Sequence, residues 1–213
     1  MTTKKLPLYL DNTFESIYGN FGARLGALFL DWLFLMPMVI AVAVFNSLRL
    51  SNFYYTFLIS QLLILCYFIY LPVRYGATPG KRLLGMTILK MDGLAISYRE
   101  SFLKILPQTI IGWLLFVFQC YIISLADAET FNGLSWMKQS TYLTSLFPLH
   151  LVIIMVLSHG FNFTNLIVFL TNDRKRSIGD CAAGTVVVYD RFLGKIGEIE
   201  ERGKHFGQRE VEF

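Results

Sequence analysis

Two ionisable side chains stand inside the most hydrophobic stretch of this chain, Arg24 and Asp31 in FGARLGALFLDWLFLMP. A full charge in hydrocarbon costs at least ~2.5–3.5 kcal/mol on insertion scales, so each needs a partner or a task. Arg24 lies near the inner boundary, where its long stem can carry the guanidinium to the headgroups. Asp31 lies about nine residues, or ~13 Å, further in and cannot reach water by stretching. It is the only acid within any of the long apolar segments. Seven residues turn a helix through ~700°, which puts both groups on one face but ~10 Å apart along the axis. Each is therefore expected to meet a partner on a neighbouring element.

A carboxylate in low dielectric holds its proton more tightly, and an imidazole exchanges protons near neutral pH; together they make a proton or cation site. The fourth apolar segment offers such a partner. Its inner half carries Ser158, His159, Asn162 and Asn165, and counting residues puts His159 and Asn162 roughly 12–17 Å from the inner boundary, the depth of Asp31. An Asp31, His159 and Asn162 cluster is expected there; the alternative for the same residues is a hydrogen-bond network that holds helices together. A second constellation is RKRSIGDCAAGTVVV. Ser177 to Ala183 reads as a short interfacial helix closed by Gly184. That places Asp180 at the membrane surface beside Arg24, where pairing neutralises both.

Gly80, Lys81 and Arg82 in GATPGKRLLG invite comparison with a phosphate loop. The match fails, because the spacing from Gly76 is one residue short and Arg82 stands where Ser or Thr would hold magnesium. A turn that presents cations to lipid headgroups is the expectation. The three cysteines, Cys66, Cys120 and Cys181, lack C-x-x-C spacing and read as packing thiols. No nucleophile, base and orienting group occur together, and no metal-ligand spacing or cofactor fingerprint is present, so neither an enzyme nor a bound metal or cofactor is expected.

The elements that must position these residues are membrane spans. The 213 residues are 54% hydrophobic with a mean hydropathy of +0.51, too apolar for a soluble domain of this length. Windows of roughly 20 residues, enough for a ~30 Å core, fall at about 22–45, 53–73, 105–126 and 145–170. The first 20 residues are polar with no cleavage-site pattern, so the first span is expected to remain in the mature chain. Cations concentrate before span one, between spans two and three and after span four, while the other two connections hold only Arg49 and Lys138. By the positive-inside rule both termini are cytoplasmic. The net charge of +4 is then topological, and no nucleic-acid partner is implied.

Within this frame span two reads as packing. LLGMTILKMDGLAISY reads as a β-hairpin about Asp92-Gly93, and TVVVYDR as a further β-prone run that can pair with it. Gly22, Ala23, Gly26 and Ala27 give span one a small-residue face suited to close helix approach, and with only four spans per chain self-association is expected there. The fold class is thus an all-α membrane protein with four transmembrane helices, both termini inside, and a small cytoplasmic β-hairpin element. Residues 1–20 form an N-terminal tail, 21–190 the transmembrane domain and 191–213 a charged cytoplasmic tail.

At these residues the sequence resembles the RDD family of membrane proteins. The resemblance rests on Arg24 and Asp31 in ARLGALFLDWLFL, on the loop GATPGKRLLGMTILKMDGLAIS, and on RSIGDCAAGTVVV. It implies that the family's named Arg and two Asp fall on Arg24, Asp31 and Asp180. Gly179 departs from it, since many members carry His before that Asp. A cation/proton antiport has been suggested for some members, so the resemblance points to a transporter or transport accessory in a bacterial inner membrane, working as a homo-oligomer on an inorganic cation and protons. The competing expectation is a membrane scaffold that locks its helices with charge and presents a basic face to a partner or to anionic lipid.

Overall fold

The computed structural model describes residues 6–8 and 15–198; the remainder of the two expected tails lies outside them. Four helices are long and apolar enough to cross a membrane: Phe21–Leu48, Asn52–Tyr75, Tyr98–Leu125 and Leu151–Thr171. The first, α1 (Phe21–Leu48), starts where the Asn20 side chain accepts a hydrogen bond from the Ala23 N–H at 2.8 Å, satisfying one of the free donors of a helix start. It runs through Pro37 to a length of ~42 Å.

The second span is composite: α2 (Asn52–Leu65), a π-helical turn (Cys66–Tyr70) and α3 (Leu71–Tyr75). Pro72 supplies the cause. It has no N–H to return to the preceding turn, and its ring crowds the carbonyl four residues back. A wider turn, in which the Leu71 N–H reaches the Cys66 carbonyl, absorbs the misfit. Gly76, at φ 77°, then ends the helix in the left-handed region. The third span, α5 (Tyr98–Leu125), begins seven residues before the expected boundary because Ser97 and Glu100 form a reciprocal capping box.

Two short helices, α6 (Ala128–Gly133) and α7 (Trp136–Leu146), close the far end of the bundle around Leu50, Ile122, Phe131 and Leu143. The fourth span, α8 (Leu149–Thr171), starts after Pro148 rather than at about residue 145, since a proline is tolerated at a helix entry but not in its interior.

Between the second and third spans, α4 (Pro79–Leu83) folds back against α1 and leads into β1 (Met86–Lys90). The expected hairpin is corrected here. Its turn exists, with the Lys90 N–H on the Leu94 carbonyl at 2.9 Å, but the return run contributes one bridge, Leu89 to Ala95, before Ser97 opens α5. The strand that pairs with β1 is β2 (Thr185–Tyr189), antiparallel, with Met86 opposite Tyr189 and Lys90 opposite Thr185. Tyr18 bridges to Val188 beside it.

Side chains alternate across this small sheet. Leu89, Val186 and Val188 pack on Ile17, Tyr18 and Phe192, while Met86, Ile88 and Val187 pack on Ala27 of α1. The second contact moors the sheet to the spans. It also occupies the small-residue face of α1: Ala27 is fully buried, and Leu84 lies against Gly26. That face is therefore a seat for the chain's own α4 and β1, which corrects its assignment as the surface for self-association.

Candidate functional site: two carboxylates at the junction of spans and sheet

Asp31 is 2% exposed, and its carboxylate accepts three hydrogen bonds of 2.7 Å: Tyr67 Oη and the Gly80 N–H on Oδ1, and Thr78 Oγ1 on Oδ2. Three elements build the site. The π-helical turn carries Tyr67, and Thr78-Pro79-Gly80 opens α4 so that a free backbone N–H of the helix start points at the acid. Close approach depends on Gly80, where a β-carbon would lie 2.3 Å from the Ala27 carbonyl oxygen and 2.7 Å from Asp31 Oδ1. Lys81 Nζ stands 3.7 Å from Asp31 Oδ2, a looser contact, and donates to Thr78 Oγ1 at 3.2 Å. Burial pulls the Lys81 ammonium down to about 8, against the opposing pull of Asp31.

The second acid, Asp180, is fully buried in α9 (Ile178–Ala183). Arg24 Nη1 donates to its Oδ2 at 2.8 Å, the pair expected from the sequence, and Lys104 of α5 contacts Oδ1. Ser177 and Thr185 add hydrogen bonds, and Arg176 binds the carbonyls of Asp180 and Thr185 at 2.7 and 3.1 Å. Burial alone would raise the Asp180 carboxyl. Lys104 and then Arg24 outweigh it and hold the group well below the usual carboxylate range. Gly179 makes the contact with α5 close enough, since a β-carbon there would lie 2.1 Å from the Lys104 carbonyl oxygen. The residue that departs from the family pattern is thus one whose lack of a side chain this packing uses.

The cluster of Asp31 with His159 and Asn162 does not form. Both are exposed on α8, and among the described residues neither side chain makes a hydrogen bond. Depth along a helix was the basis for joining them, but the returning α4 occupies the space beside Asp31, and α8 meets α1 through Phe169 on Phe21 and Arg24. Asn165 has a different use, accepting the Ile178 N–H at 2.8 Å and so capping α9. Of the loop motif, Gly80 and Lys81 turn inward onto Asp31 while Arg82 stays exposed. Span two is also more than packing, because it supplies Tyr67.

Tyr67, Thr78 and Lys104 were missed. Lys104 stands just before the expected start of span three and four residues after Glu100, a spacing that reads as an ordinary helix-surface pair. Tyr67 gave no signal, as a tyrosine in an apolar helix is ordinarily packing.

Four apolar helices of spanning length, joined at one end by a sheet and two buried carboxylates held on cations, define a multi-pass membrane protein with a charge-paired junction. The chain belongs to the RDD family, whose model matches residues 18–184 and so takes in Arg24, Asp31, Asp180 and β1. No curated protein and no solved structure matches the chain.

Proposed function

We propose that the chain exchanges a cation for a proton at the Asp31 and Lys81 pair, with the sheet end facing the cytoplasm of a bacterial cell as the distribution of Lys and Arg indicates. The observation that carries this reading is the loose 3.7 Å ion pair between a buried carboxylate and a lysine whose ammonium form burial disfavours. While Lys81 is protonated, its ammonium neutralises Asp31. Once the proton leaves, the carboxylate keeps only neutral donors, Tyr67, Thr78 and the Gly80 N–H, and attracts a replacement cation. Entry of the cation and release of the Lys81 proton conserve charge, one for one. A single carboxylate suits a monovalent ion: among the described residues no three His, Cys, Asp or Glu side chains gather as a multivalent site would need.

The test is flux in proteoliposomes under an imposed pH gradient, wild type against Asp31→Asn at matched folded content. Gradient-driven cation flux lost in the variant supports exchange at Asp31; absence of flux in the wild type overturns it. A second reading, a scaffold, draws on Asp180. That acid is saturated by fixed partners and ties α1, α5 and α9 together, while Arg74, Arg82 and Arg99 stay exposed at the same end, placed for anionic lipid or an acidic partner.

A further inference from the structure

The helix α8 is the least enclosed of the four spans: none of its most hydrophobic 18 residues is buried. Its more enclosed residues centre on the side of Ile154, Leu157, Ser158, Phe161, Asn165 and Phe169, with half-buried Ile153 and Leu166 at the two edges, roughly 100° and 120° from that centre. At 100° per residue His159 lies about 140° from that centre. His159 therefore faces away from its own chain, with Val152, Val156 and Phe163 around it and Asn162 on the border, all exposed. Both polar residues lie within ~3 Å of the midpoint of the Leu151–Thr171 span. A lipid tail offers them neither donor nor acceptor, and a polar side chain at that depth is unfavourable without one.

We propose that this face of α8 is a self-association surface, in which His159 and Asn162 hydrogen-bond to the same residues of a second copy. Two features select a second copy as the occupant. A neutral imidazole and a carboxamide each carry a donor and an acceptor, so each can satisfy its own kind. Copies inserted in one orientation also bring equal depths together, and a two-fold interface sets a face against itself. The small-residue face of α1 is not free for this role, being occupied by α4 and β1.

The experiment follows subunit exchange by energy transfer between labelled full-length chains in lipid vesicles as lipid dilutes protein. Wild type is expected to associate reversibly, and a His159→Leu/Asn162→Leu chain to associate at least about tenfold more weakly with its thermal transition unchanged. A parallel measurement places cysteine at Phe163, with Cys66, Cys120 and Cys181 replaced by serine, and compares it with cysteine at the exposed Leu28 of α1. Cross-linking between chains at position 163 and none at position 28 is expected, whether or not the leucine variant folds. A wild type that stays monomeric, equal association in the double variant, or cross-linking at position 28 alone overturns the proposal.

Discussion

At the scale of single residues, the two carboxylates are held in different ways. Asp180 sits between two cations and three protein donors, whereas Asp31 rests on neutral donors with its one cation at 3.7 Å. Removing one neutral donor should therefore be felt without unfolding the chain. Tyr67→Phe is expected to lower stability by about 1–2 kcal/mol, since it deletes one hydrogen bond to a buried charge; a thermal melt in detergent checks this. Lys81 sets a pH dependence. Its folded pKa of about 8 lies below its ordinary value of 10.5, so the unfolded chain binds more protons between the two. Stability should rise as pH increases from about 8 to 10.5 through this group, and Lys81→Met should flatten that rise. Amine labelling read by mass spectrometry should give Lys81 a midpoint near 8.

At the scale of elements, two glycines set how closely helices approach. A β-carbon at Gly80 or Gly179 would lie 2.3 or 2.1 Å from a backbone oxygen of α1 or α5, a contact that backbone cannot relieve by rotating a side chain. Gly80→Ala and Gly179→Ala are each expected to cost about 3 kcal/mol or more, measured by thermal or denaturant unfolding. Gly112→Ala in α5 serves as the contrast: nothing lies within 4 Å of its added carbon, and alanine's helix preference should raise stability by about 0.5–1 kcal/mol. The π-helical turn belongs to this scale too. Replacing Pro72 with leucine should let a regular helix return, rotate Tyr67 off Asp31 and reproduce the loss expected of Tyr67→Phe.

For the molecule as a whole, Asp180 joins parts that are distant in sequence: Arg24 at the start of α1, Lys104 in α5, and α9, which leads into β2. Asp180→Ala leaves two cations buried without their counter-charge and should cost about 3–5 kcal/mol. Proteolysis and hydrogen exchange should then report release of the β1 and β2 sheet before loss of the helices. The same logic fixes the acid limb. A carboxylate whose folded pKa is depressed stabilises the fold above about 3.8 and loses that contribution as pH falls further.

Sequence by itself determined what depends on local composition and counting. Hydropathy over windows of membrane length located four spans, and the Ser177 and Gly184 signals bounded α9. Chemistry also favoured one long-range pair, Arg24 with Asp180, because two buried charges of opposite sign at equal depth have few other ways to be neutralised. Where the pattern was not local, tertiary structure decided. Asp31 was matched to His159 and Asn162 by depth alone, yet depth says nothing of azimuth, and the chain between spans two and three folds back to put Thr78, Gly80 and Lys81 beside the acid. The Asp92-Gly93 turn formed, but β1 took β2 as its strand, because Val187 and Met86 could bury themselves on Ala27 only with β2 alongside. Periodicity names the face an element will bury; which neighbour covers that face is settled by the packing of the whole chain.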